Sequence, residues 1–431
     1  MTKKEWETIY ENRITSLEQA IHSIQSQQKV FLAPFCNEPQ TLVEELVRQK
    51  DRLQDVYLYT AIIGSRCKYA DPACHSHFKI RTFLSTPSFK SAFNNQVCDY
   101  IPVNLSEISR FITENPIDAA LIQVSPPNEE GYCSLGISVD IIPTLLKKAK
   151  RIIAQVNQQL PNTNGVTFVH VSQIDHFVQS DRPLLTISNG VPDKVELAIA
   201  ENVAELVPDK ATIQVGVGKL ANSIILALKN KKELGIHSGS IIDPVIELME
   251  LKVITNEHKE INRFKTVCTT LTGTDNLYRY AHRNPEIELY PAEYTHNPAM
   301  ISQISNFHAI NSALEVDIFG QINAEQVGDY PMGGVGGQMD FIKGARLSKG
   351  GKAIIALPST AKKGTQSRIK ISVSNVTSIK SEIDYVVTEY GIASLFGKTL
   401  SERAEELINI AHPNFRKQLK EDFEKQSIVS L

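Results

Sequence analysis

Residues 331 to 345 read Pro-Met-Gly-Gly-Val-Gly-Gly-Gln-Met-Asp-Phe-Ile-Lys-Gly-Ala, so Gly333, Gly334, Gly336 and Gly337 surround a single side chain, Val335. Glycine has no Cβ, and such a turn can bring bare backbone N–H groups against a ligand. Two N–H groups aimed at one point stabilise an oxyanion or hold a carbonyl oxygen. A tight loop between strand and helix uses the same residues, so the glycines alone leave both readings open. A second turn, Gly216-Val217-Gly218, follows an apolar run and precedes a helical one. A phosphate could sit there at a helix N-terminus. The turn lacks the full dinucleotide fingerprint, and Lys219 does not stand at the P-loop spacing, so a purely structural turn fits equally. Cys67 and Cys74 are followed by His75 and His77. The long gap between the cysteines and the crowding of Cys74 against His75 fit paired zinc ligands poorly, so no metal is expected.

These turns need elements to hold them. Val30-Phe31-Leu32-Ala33 reads as a strand leading to a helix through Leu42 to Leu46, and Val56 to Tyr59 as another strand. Ala119 to Val124 and Val166 to Val171 read as buried strands. Ala198 to Val207 has apolar residues at helical spacing, ended by Pro208-Asp209. Ala211 to Gly218 is a strand running into its glycine turn, and Ala221 to Leu228 continues as a helix. Short strands separated by helices imply parallel α/β layers. The same grammar appears twice, and the second unit begins near residue 186.

At 431 residues the chain exceeds one ordinary core, and 42% hydrophobic residues suffice for two. A formal charge of −3 gives no reason to expect nucleic acid as a partner. No stretch approaches a membrane span. The start, Met1-Thr2-Lys3-Lys4-Glu5-Trp6-Glu7, has no following apolar region of a signal peptide and reads as a polar helix of the fold. Six cysteines do not make a disulfide framework. A cytoplasmic protein is the simplest fit.

Further segments, in order, frame the glycine loop. Upstream are Tyr100-Ile101-Pro102-Val103-Asn104-Leu105-Ser106, Gln123 to Asn128, Gly131 to Gly136, Glu293-Tyr294-Thr295-His296-Asn297-Pro298 and Ala309 to Asn323. Downstream are Leu347 to Gly351, Asp384 to Gly391, Gly397 to Leu400 and Ile410 to Arg416. In order and spacing they resemble the acetyl-CoA hydrolase/transferase family, and within it the 4-hydroxybutyrate and butyrate CoA-transferases. The resemblance runs over nearly the whole chain. It implies two tandem open α/β domains of the CoA-transferase type, 1–185 and 186–431, with the active site at their interface. It also implies acyl-CoA and a small carboxylic acid as partners, coenzyme A as substrate rather than as a resident cofactor, and a homo-oligomer, most simply a homodimer.

In the family a glutamate attacks the acyl-CoA thioester to give a mixed anhydride, and released CoA then forms a glutamyl-CoA thioester. That glutamate lies in a segment resembling Gly-Ile-His-Thr-Glu. The matching residues here are Gly235-Ile236-His237-Ser238-Gly239, so glycine stands at the nucleophile's position. Three readings follow. Another carboxylate, Glu293 or Glu247, replaces it. Alternatively water enters the vacated space and the chain hydrolyses acyl-CoA, with His237 as base. In the third, the site binds acyl-CoA with little turnover. Gly333 to Gly337, with Gly216 and Gly218, are the expected CoA-ester contacts. Met332 and Met339 beside the loop are expected in core packing.

Overall fold

The computed structural model describes residues 3–61, 65–188 and 190–425. Met1 and Thr2, at the start of the expected polar helix, lie outside the described residues; the helix itself spans Lys3–Arg13. Among the described residues, no helix is long and apolar enough to cross a membrane. The chain divides into two compact units, Met1–Ser188 with Val267–Thr295, and Asn189–Thr266 with His296–Leu431.

The first unit carries a seven-stranded sheet. Its order is His176–Ser180, Ile152–Asn157, Ala119–Val124, Lys29–Leu32, Val56–Thr60, Phe78–Thr82 and Cys98–Tyr100, with every pairing parallel. Ala119–Val124 is buried at all six positions, as a central parallel strand covered on both faces must be. Gln123 and Gln155 are buried and belong to a row of hydrogen-bonded amides, with Gln155 Oε1 accepting from Thr41 N–H at 2.9 Å. Gln155 Nε2 donates to Gln123 Oε1 at 2.7 Å, and Gln123 Nε2 to Asn37 Oδ1 at 3.1 Å. Asn157 Nδ2 joins the row through Gln123 Oε1 at 3.0 Å. Such a network is tolerated in a core because each amide finds partners.

The second unit carries six strands in the order Gly235–Ile236, Thr212–Val215, Phe307–Ser312, Lys352–Ala356, Tyr385–Thr388 and Gly391–Ser394. The first five are parallel, and the last closes an antiparallel hairpin. The helix Lys194–Leu206 starts on a capping box, in which Asp193 accepts from Val195 and Glu196 while Glu196 accepts from the Asp193 N–H.

Two expectations need correction. A single cut near residue 186 misses an excursion: Val267–Thr295 belongs to the first unit. The reason is local pairing, since Glu288 and Leu289 pair in parallel with Asn164 and Gly165. Val166 to Val171 does not form a buried strand of the main sheet. Only Phe168–His170 is extended, paired antiparallel with Tyr132–Ser134. Val166 and Phe168 are each 46% exposed, whereas Val169 and Val171 are buried, the alternation of a strand with one wet face.

Candidate active site

The glycine loop and the helix that it opens lie in the second unit. The glycine loop leads into the ten-residue helix Gln338–Leu347, with Gly337 as its N-cap. Gly333 at φ +84° and Gly336 at φ +55° occupy the left-handed region, which explains glycine at these two positions. Before the loop, Met332 N–H donates to Glu325 O at 2.8 Å; after it, Gln338 Nε2 donates to Ser378 Oγ at 2.9 Å. Val335 is half-buried, as is Met332, while Met339 packs on the core. Asp340 is buried in the first turn of the helix.

The other turn, Gly216-Val217-Gly218, ends the strand Thr212–Val215 and opens the helix Lys219–Ala227. Gly218 has φ +114°, and a Cβ on either glycine would meet nothing within 4 Å. Gly216 therefore faces open space and has no packing reason to be glycine.

The strand Gly235–Ile236 is the edge of the sheet, and His237 to Gly239 continue from its end. Asn256 Oδ1 accepts from Ile236 N–H at 2.9 Å, and His237 N–H donates to Ile213 O at 3.2 Å. Ser238 Oγ donates to Val215 O at 3.1 Å. Lys259 is buried beneath, its Nζ donating to Ile236 O at 2.8 Å and Lys265 O at 2.6 Å. These bonds fix where Gly239 sits.

His237 is fully buried, with its ring edge-on to Phe307 at 6.2 Å. Phe307 stacks on Phe341 at 6.3 Å, and Phe341 tilts against His296 at 4.6 Å. The imidazole that meets the 239 position is the one at the far end of this row. An ideal Cβ on Gly239 would lie 2.8 Å from His296 Nε2 and 3.1 Å from its Cε1. Gly337 meets the adjoining edge of the same ring, where its Cβ would fall nearest Cδ2 and 2.6 Å from Nε2. His296 was visible in the sequence only as one residue of the Glu293–Pro298 motif. Nothing in that motif pointed to Gly239.

The alternative carboxylates are both exposed. Glu247 is exposed on the helix Pro244–Glu250, whose Val245, Ile246, Leu248 and Met249 are buried. Glu293 is exposed in the first unit, on the short helix Ala292–Thr295, and accepts from Thr144 Oγ1 at 3.5 Å.

The Cys67–His77 segment binds its own backbone. His75 Nε2 lies 3.1 Å from Ala70 O, His77 Nδ1 lies 2.9 Å from Leu53 O, and Cys74 Sγ lies 3.5 Å from Lys68 O. Burial pushes the Cys67 thiol up to about 11, which opposes the thiolate a metal would need. Elsewhere Glu233, Glu257 and His258 bring ligand atoms within 4.8 Å of one another, but as a surface ion cluster with His258 Nε2 2.9 Å from Glu233.

Residues 1–187 match the model of the acetyl-CoA hydrolase/transferase N-terminal domain, and residues 273–423 that of its C-terminal domain. The chain is 43% identical to a 4-hydroxybutyrate coenzyme A transferase of Clostridium kluyveri, over 98% of this chain and all of that protein. It is 32% identical to a butyryl-CoA:acetate CoA-transferase of Anaerostipes caccae, covering 97% of each. Among solved structures, RipA from Yersinia pestis superposes with a TM-score of 0.94 at 31% identity, over 98% of this chain and all of the other.

Proposed function

The chain belongs to the acetyl-CoA hydrolase/transferase family, and from that premise we propose that it is a short-chain acyl-CoA:carboxylate CoA-transferase of the 4-hydroxybutyrate, butyrate and acetate kind. The observation that carries this is the near-full-length likeness to the Clostridium kluyveri transferase. The glycine loop supports it. Its left-handed turns at Gly333 and Gly336 run into a helix N-terminus, where the peptide dipoles favour negative charge. In this reading the N–H groups of Val335, Gly336 and Gly337 hold the thioester oxygen as it gains charge. Gly334, Gly216 and Gly218 give the CoA ester room. No resident cofactor is needed, since coenzyme A enters and leaves as part of the substrate. The protein works as a cytoplasmic homodimer, which sedimentation at micromolar concentration tests against the 48.0 kDa of one chain.

Gly239 supplies no nucleophile, so the attacking carboxylate is the acceptor's own. It adds to the thioester carbonyl, the C–S bond breaks, and CoA thiolate leaves a mixed anhydride of the two acids. The thiolate then attacks the acceptor's carbonyl carbon, and the donor acid departs as its carboxylate. Both substrates must occupy the site together, which places them at high effective concentration. Initial rates with acyl-CoA and acetate then give intersecting double-reciprocal lines, and borohydride traps no enzyme carboxylate. Parallel lines with a trapped Glu293 would move the nucleophile to that residue and restore a covalent route.

A second reading is acyl-CoA hydrolysis. It is favoured by one observation, the imidazole of His296 against the vacant 239 position. Following new acetyl-CoA against free CoA in the same assay separates the two.

A further inference from the structure

Glycine at 239 and at 337 has no backbone cause. Gly337 has φ −97° and ψ 6°, which any residue can adopt, and Gly239 lies outside the left-handed region that favours glycine. What excludes a side chain at both is one object, the His296 ring, through Nε2 and Cε1 at Gly239 and through Cδ2 and Nε2 at Gly337. The ring cannot readily move aside. It is 2% exposed and held against Phe341 at a centroid distance of 4.6 Å. Gly337 ends the glycine loop, and Gly239 stands where the family places its nucleophile. One ring nitrogen thus lies beside both the loop that would hold the thioester oxygen and the position from which the thioester would be attacked.

We infer that His296 has taken over the place of the missing carboxylate as a general base, and that hydrolysis of short acyl-CoA is an activity built into this chain. The inference rests on the reading that acyl-CoA lies against the glycine loop. Nε2 takes a proton from a water, whose oxygen adds to the thioester carbonyl carbon. The C–S bond breaks, the acid is released, and the proton passes from His296 to the CoA sulfur. No oxidant or other co-reactant is required. His237 does not serve, because its ring lies at the Phe307 end of the aromatic row.

The test uses the full chain with acetyl-CoA and butyryl-CoA, with no acceptor acid, and follows free CoA between pH 5 and 9. The native protein should release CoA with one ionisation on the acid side of its profile. His296→Asn keeps a polar side chain of similar size but cannot titrate. It should bind acyl-CoA as before, lose CoA release by about 100-fold or more, and lose the acid limb. A ring that only fills space would lose none of the pH dependence. His296→Gln is the second variant, should His296→Asn fold poorly. CoA release with an unchanged profile in either variant overturns the inference. So does a native protein that binds acyl-CoA and releases no CoA without an acceptor acid, and the transferase reading is then untouched. A native protein that binds no acyl-CoA overturns both.

Discussion

The first carbon that Gly239 lacks would lie 2.8 Å from Nε2 of His296, closer than a carbon and an unbonded ring nitrogen can approach. A side chain at 239 and the His296 ring as it stands therefore exclude each other. Placing a glutamate there is then a change of two residues rather than one.

Gly239→Glu alone should destabilise the protein by about 1–3 kcal/mol, because the buried ring must be driven off its packing. It should not gain a covalent route through the new carboxylate. Gly239→Glu combined with His296→Gly opens the space. The pair should recover most of the lost stability and change acetate-dependent acetyl-CoA formation from intersecting to parallel double-reciprocal lines, with a glutamate at 239 trapped by borohydride. Urea unfolding and the transfer assay read the two effects. Equal stability of Gly239→Glu and the native protein would show that the ring yields freely.

Gly336 sits at φ +55°, a conformation that asparagine tolerates and valine does not. Gly336→Val should lose roughly 1–3 kcal/mol of stability together with acyl-CoA binding. Gly336→Asn should fold nearly as the native chain yet weaken acyl-CoA binding about tenfold, or about 1.4 kcal/mol. Gly216→Ala has no neighbour within 4 Å and should leave stability within about 0.5 kcal/mol. A loss of affinity in that variant, measured calorimetrically, would come from ligand contact. Full acyl-CoA affinity in Gly336→Asn would remove the loop from the binding site.

Two buried carboxyls in the first unit set a pH dependence of stability. Burial raises Asp140 from 3.8 to about 7, and neither of its side-chain oxygens has a hydrogen-bond partner. Burial also raises Glu38 from 4.5 to about 7, against the opposing Ser65 hydrogen bond and the Arg182 charge. In each the folded state binds its proton more tightly than the unfolded chain does. Their contribution is thus fully present below the unfolded values, falls as pH rises, and is lost above about 7. Asp140→Asn should flatten this slope. It should gain roughly 2–4 kcal/mol at pH 8 and little at pH 4, read by urea midpoints. A pH-independent gain would assign the effect to packing instead.

Lys259 ties the edge strand beside the site to the loop beyond it. Its ammonium is buried and bonds two carbonyls, of Ile236 and Lys265. Lys259→Met fills most of the volume but leaves both carbonyls without that donor. A loss of about 2–4 kcal/mol is expected. Turnover should fall with it, since the bonds that position Ile236 position Gly239 three residues on. Native turnover in a destabilised Lys259→Met would separate the strand edge from catalysis.

The sequence alone determined the local elements and the family. Ala119–Val124 was legible because a central parallel strand is apolar at every position. The helix Lys219–Ala227 was legible from the glycine turn before it and its apolar spacing. The resemblance also gave the expectation that Gly239 stands at the family's glutamate position. Periodicity records which side of an element is buried, but it does not say which other element lies there. Tertiary structure alone decided that Val166 and Phe168 face solvent and that Val267–Thr295 joins the first unit. It alone placed Lys259 under Ile236 and His296, rather than His237, against the vacant position. Those meetings depend on strand order and on how distant loops return to a common sheet end. A pattern of neighbouring residues carries no record of either.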